Sequence, residues 1–252
     1  MRSDTLLHVG RTTDHRTTIR DLRSETPIRL IPRRPAVPSH DGSITVRIVA
    51  AAAAPLGGDH LTLHVHVGTG AHLRLIGTGA TLVLPGPAGD PSSSTVHVAI
   101  DAGGTLEYLP DETIVCTGAD HHTALHVNLA TDATLRYRET LILGRHNETP
   151  GRLTTTTHVT RADMPLLRQT LDLTNHRLLG SPSYLTGATV LATELLIGDE
   201  DPPTAATGPL WALTPLHAGG TLATALAHDH TTAINRLTTA LRNHPTTPAG
   251  EV

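Results

Sequence analysis

The feature that most constrains this chain is a strict alternation of apolar and polar residues in short runs. It recurs from Ser43 to about Leu143 and is broken by glycine at fairly even intervals. Ile44, Val46 and Ile48 alternate with Thr45 and Arg47, and Leu61, Leu63, Val65 and Val67 alternate with Thr62, His64 and His66. A period of two sends successive side chains to opposite faces of an extended strand, so each run reads as a strand with one buried face. Leu73 and Leu75, Leu82 and Leu84, Val96 and Val98, Leu125 to Leu129, and Leu135 to Leu143 continue the series. Breaks at Gly57-Gly58, Gly68 to Gly70, Gly77 to Gly79, Gly86 to Pro91, Gly103-Gly104 and Gly118 separate the runs. Many short strands with even turn spacing predict an all-β sandwich, barrel or β-helix-like stack.

The turn phrases Val67 to Leu73, Asp101 to Leu106 and Leu129 to Leu135 resemble one another at separations of about 30 residues, which predicts stacked hairpin pairs. Strands are expected to resume at Arg152 to Val159, Leu166 to Leu173 and Thr189 to Ile197. Asp199 to Gly208, acidic and proline-rich, reads as a surface loop. Ile234, Leu237 and Leu241 at helical spacing predict one helix over about 231–241, with the last eight residues frayed. The 252 residues are read as one domain spanning 1–252.

Composition then removes function classes. All 19 basic residues are arginine and the net charge is −4, with no phenylalanine. A nucleic-acid binder would be clearly basic or rich in stacking aromatics, so none is expected. Without lysine there is no phosphate-cradling Gly-x4-Gly-Lys loop, and no Gly-x-Ser-x-Gly nucleophile elbow occurs. Cys116, the single cysteine, excludes an intrachain disulfide and a multi-cysteine zinc site. The longest apolar run, Ile48 to Leu56, falls well short of the roughly 20 residues that span a bilayer. Nor does Met1 to Gly10 read as a signal peptide, and a cytoplasmic protein without a membrane partner is expected.

Two constellations remain. The first is Gly58-x5-His64-x-His66, the opening of a cupin-like metal motif, whose carboxylate position holds Gly70 or Ala71 and whose second half has Glu112 where glycine belongs. A cupin-like metalloenzyme on His64 and His66 is one alternative. A His-rich metal buffer is another, because 18 histidines are scattered along the chain, among them His121, His122 and His126, and His228 and His230. The plain reading of His64 and His66 is a solvent-facing pair on an amphipathic strand. The second constellation is Glu139, which in a strand shares its face with Leu135, Tyr137, Leu141 and Leu143. A carboxylate on an apolar face is either paired, with Arg136, Arg138 and Arg145 the nearby candidates, or lines a polar cavity as a hard ligand for a divalent ion.

Five phrases in order carry a family resemblance: Pro55-Leu56-Gly57-Gly58-Asp59; Gly70-Ala71-x-Leu73 with Gly79-Ala80-Thr81; Leu106-Glu107-Tyr108-Leu109-Pro110; Glu139 to Gly144-Arg145 with Glu148; and Pro165-Leu166-Leu167. Over about 43–173 the chain resembles the urease accessory protein UreD (UreH) family. Two departures stand out: Leu82, Val83 and Leu84 replace the family's lysine and aromatic, and Asn147 replaces a glycine.

The resemblance implies an all-β, β-helix-like protein with one or two short helices near the C-terminus. Its implied role is a non-enzymatic nickel-insertion chaperone that scaffolds the accessory proteins UreF and UreG on apo-urease. No cofactor would be held tightly, and nickel would be in transit through an internal passage. Glu139, Thr81 and Glu148 are the implied transit residues, and Gly58, Asp59, Glu107, Pro110, Gly144 and Arg145 are family-motif positions. A transit site needs carboxylates, hydroxyls and water, because a closed cage of imidazoles would trap the ion. Leu210, Trp211, Leu213 and Leu216, in a loop-like stretch, are the expected apolar surface for UreF.

Overall fold

The computed structural model describes residues 1–33, 41–198, 204–242 and His244. Its chain begins with β1 (Arg2–Arg11), β2 (Thr17–Arg23), β3 (Ile28–Arg33) and β4 (Ile44–Ala50). Three coils follow: β5 (His60–Val67) with β6 (His72–Ile76) and β7 (Thr81–Val83); β8 (Ser92–Ile100) with β9 (Thr105–Leu109) and β10 (Thr113–Val115); and β11 (Asp120–Leu129) with β12 (Thr134–Leu143). Strands β13 (Arg152–Arg161) and β14 (Met164–Asp172), α1 (His176–Leu179), β15 (Val190–Ile197), β16 (Ala206–Gly208), β17 (Trp211–Pro215), β18 (Thr221–Ala227) and α2 (His230–Leu241) complete it.

Two sheets result. The first runs β14-β13-β11-β8-β5-β1-β2, and the second β16-β17-β18-β15-β12-β9-β6-β4-β3. The central pairs are parallel: β1 with β5, β5 with β8, β8 with β11 and β11 with β13 in the first sheet, and β4 with β6, β6 with β9 and β9 with β12 in the second. Antiparallel pairs close the ends. This is the expected β-helix-like stack.

The hairpin expectation needs correcting. At the three similar turns the chain crosses from the first sheet to the second, so the two strands flanking each turn never pair. The similar turns stack instead, the Gly70 N–H donating to the Ala102 carbonyl and the Thr105 N–H to the Ala71 carbonyl. Apolar alternation is identical in a hairpin and in a coil, so it could not separate them. The strands β1 to β3, and β17 and β18, lie outside the runs read from sequence. Of the predicted surface loop, 199–203 lies outside the described residues, and its end forms β16. Of the last eight residues, 245–252, none is among the described ones.

The interior holds two apolar clusters. The larger gathers Leu7, Val65, Val67, Leu75, Val98, Leu106, Val127, Leu135 and Val159, and the smaller gathers Val83, Val115, Leu141, Leu143, Leu153 and Leu173. A third lies on the outer face of the second sheet, where α2 buries Ala233, Leu237 and Leu241 against Ala223, Ala225 and Ala227. Three alanines in a row let the helix approach closely, and Asp229 caps it by accepting from the Thr232 N–H at 2.8 Å. Leu213 is buried in this third cluster and Trp211 packs on it, while Leu216 packs on the largest cluster. The stretch expected as a free apolar surface is therefore a strand spent mainly on the core. Only Leu210 among its four apolar residues is appreciably exposed.

Candidate functional site

Between the two inner clusters lies a polar layer. The register places Thr155, Thr123, Ser94, Leu61 and Ser3 in one row across the first sheet, with Leu153, His121 and Ser92 in the next inward row. On the second sheet, Tyr137 belongs to the larger cluster and Leu141 to the smaller, with Glu139 between them. Alternation sends all of these side chains inward, and polarity at one level leaves space the apolar clusters do not fill. A cavity of about 190 Å³ sits there, lined by Glu139, Tyr137, Tyr108, His121, Thr123 and Thr81 among others.

Its wall toward the second sheet is made by three stacked interruptions. The chain leaves the sheet after β4, after β6 and after β9, then returns at the Leu56–Leu84 bridge and at β7 and β10. The gaps at 51–55, 77–80 and 110–112 thus fall side by side, and Ala54, Pro55, Gly77, Gly79, Pro110 and Asp111 border the cavity. Gly79, Thr81 and Asp111 are also exposed, so the cavity reaches the surface here. Gly77 is needed for close approach: a Cβ there would clash with the Asp111 carboxylate and backbone nitrogen. The Gly79 N–H donates to the Asp111 Oδ2 at 2.6 Å, tying two of the gaps together.

Glu139 makes no ion pair with the arginines proposed for it. The Arg136 and Arg138 side chains point to the opposite face, where each Nε lies 2.7 Å from a different oxygen of buried Glu194. Arg145 pairs with Glu148. The carboxyl of Glu139 instead accepts from the Thr155 hydroxyl at 3.1 Å and from Tyr137. Burial raises its pKa, and those two hydrogen bonds offset this only in part. Burial and the same carboxylate raise Tyr137, whose ring stacks on Tyr108 at 5.4 Å. His121 is pushed down to about 4, by burial first and the nearby His122 second, and its Nδ1 sits 2.8 Å from the Ser92 hydroxyl. The Thr123 hydroxyl is buried without a protein partner. The layer therefore offers a neutral imidazole, hydroxyls and a carboxyl whose charge is poorly compensated.

Thr81, Pro110 and Glu139 are brought to the cavity, but Glu148 is not. Its carboxylate takes the Arg145 guanidinium and backbone N–H in a surface turn, which hold its pKa down to about 2. Gly144 starts that turn at φ 84°, and Asn147 takes φ 59°, a conformation asparagine tolerates, so the missing glycine costs this turn little. Glu107 lies on the outer face of the second sheet with His72, Arg74 and Arg136. Gly58, at φ 86°, turns the chain so that buried Asp59 accepts from the Leu56 N–H and the Met1 ammonium. Burial works to raise the Asp59 pKa, yet the two donors hold it below its ordinary value.

His64 and His66 face outward, beside Asp4 and Asp101 respectively, and do not reach the cavity. Among the described residues no three His, Cys, Asp or Glu side chains converge as a metal site. Sequence reasoning grouped His121 only with the scattered histidines His122 and His126 and did not place it in the interior. Its signal was phase: it alternates with Thr123, Leu125 and Val127 on the inward face, whereas His122 falls outside.

Residues 3–249 match the family of the UreD urease accessory protein, well beyond the 43–173 span where the motifs were legible. The chain is 49% identical to urease accessory protein UreD 1 of Saccharopolyspora erythraea over 97% of its length and 96% of the relative's. It is 36% identical to urease accessory protein UreD of Parafrankia sp., covering 84% of the chain and 78% of the relative. A second Saccharopolyspora erythraea protein, urease accessory protein UreD 2, is 35% identical over 90% and 82%.

Proposed function

The chain belongs to the UreD family of urease accessory proteins, and on that premise we propose that it delivers nickel to apo-urease through its interior while scaffolding UreF and UreG. The ion is cargo, and the protein does no chemistry on it. It works as a cytoplasmic member of that assembly, and GTP hydrolysis belongs to UreG.

The observation that carries the reading is the polar layer between two apolar clusters, reaching the surface where three strand breaks align. An interior built for stability alone would continue the leucines and valines through this level. A buried Glu139 whose charge is held by two hydroxyl donors costs stability, and a cation passing through would relieve that cost. Carboxyl, hydroxyl and one neutral imidazole make a donor set that holds a divalent ion loosely, as transit requires. Thr81 stands where the cavity meets solvent.

The test is Glu139→Gln co-expressed with urease and the other accessory proteins. Folding and UreF capture are expected to persist while nickel per urease site falls by about tenfold, the order expected when a cation loses one buried charged partner. Full nickel loading with the variant would end the conduit reading. Loss of UreF capture together with loading would assign Glu139 to assembly instead.

A further inference from the structure

The outer face of the first sheet carries a feature that the interior passage does not use. Because β5, β8, β11 and β13 are parallel and in register, one outward position repeats in every coil, and in this chain it is histidine each time: His64, His97, His126 and His158. Successive ring centroids lie 5.1, 5.2 and 5.4 Å apart, the first two pairs stacked and the third edge-on. Two residues further along the strands, His8 of β1 stacks on His66 at 4.4 Å. Scattered surface histidines would not align; a parallel stack turns a spacing of roughly 30 residues into one row.

We propose that this row is a binding surface for borderline divalent cations such as nickel(II), copper(II) or zinc(II), with neighbouring imidazoles of adjacent coils sharing an ion. Rings about 5 Å apart come within reach of one metal by a rotation about the side-chain bonds, and imidazole favours these ions over magnesium or calcium. Each ion would have two protein ligands and water elsewhere, which agrees with the lack of any preformed three-ligand site among the described residues. Such sites are weak and exchange quickly, and the four-rung row offers three overlapping pairs.

The charges around the row are mixed. Asp4 from β1 lies 3.3 Å from His64, Asp101 lies 3.0 Å from His66, Arg20 and Asp21 act on His8, and Arg168 of β14 stands beside His158 in the register. Burial and the flanking His64 and His126 lower the pKa of His97, which favours the neutral, ligating form of that ring.

The proposal stands apart from the interior passage, and its experiment separates the two. Untagged wild-type chain and the triple variant His64→Thr, His97→Thr, His126→Thr are titrated with nickel(II) alone by equilibrium dialysis, at about pH 7.5 and about pH 5.5. Threonine already populates this face at Thr62, Thr95 and Thr156, so the strands are kept. Wild type is expected to bind one or two ions weakly at the higher pH, with paramagnetic broadening confined to the imidazole signals of the row. Apparent affinity should fall by about tenfold or more in the triple variant, and in wild type at the lower pH. Unchanged binding by the triple variant, or broadening of other histidines such as His176 or His217 in place of the row, would overturn the proposal. A Glu139→Gln chain should bind like wild type in this assay, so failure here leaves the interior reading standing and the reverse.

Discussion

The two faces of β11 show how one residue vocabulary is put to opposite uses. His121 and Thr123 point inward, where the imidazole is buried, hydrogen-bonded to Ser92 and held neutral far below its ordinary range. His122 and His126 point outward, and His126 shares a wet face with the imidazoles of the coils on either side. The chemistry of a histidine in a parallel stack is thus decided by phase along its strand. Inward, neighbours remove water and fix one protonation state; outward, they supply a second ring at ligand-sharing distance.

Acid titration should test that contrast with the largest effect. His121 has a folded pKa of about 4 against an ordinary 6.5, so only the unfolded chain takes up its proton between those limits. Stability present above pH 6.5 is lost progressively as pH falls toward 4, on the order of 3 kcal/mol from this one group. Urea unfolding of His121→Gln should show that acid loss much reduced. The same measurement on His97→Thr should show a smaller effect of the same sign, since its pKa is lowered too. Equal responses from both variants would erase the distinction between the faces.

The next effect in size concerns the Glu139 donors. Thr155→Val removes the hydroxyl at 3.1 Å and should cost about 1 to 2 kcal/mol at neutral pH, less once the carboxyl is protonated. Glu139→Gln should act the other way. A carboxyl with a raised folded pKa binds its proton more tightly when folded, so stability falls as pH rises through the unfolded and then the folded value. Removing the charge is therefore expected to stabilise the protein at neutral pH by about 1 kcal/mol, read as a melting temperature a few degrees higher. A stabler chain that delivers less nickel would separate function from folding at one residue. Smallest is His97→Thr at neutral pH, expected within about 0.5 kcal/mol of wild type because an exposed strand position with a good β-former changes little.

Much of the architecture was readable because alternation, glycine breaks and a period of about 30 residues are local signals. Glu139 was readable for the same reason: its phase with Leu135 and Leu141 needs no partner to be seen. Its Thr155 partner was not, since that residue comes from another strand, and proximity in sequence favoured Arg136 and Arg138, which alternation sends to the other face and to Glu194. Glu148 was placed by family motif at the interior, yet an arginine three residues away captures it in a turn. Trp211 and its neighbours read as an exposed loop because nothing local reveals that α2 folds back over the outer face of the second sheet.

By itself, then, the amino-acid order determined that this chain folds as strands with an apolar inside, that it is a UreD relative, and that one carboxylate points the wrong way for a simple core. Stacking decided the rest. Whether a turn closes a hairpin or crosses to a second sheet depends on which strands gain hydrogen bonds and buried area together, and that sum runs over residues about 30 apart. Only after it is settled do three separate breaks become one opening, and four distant histidines one row.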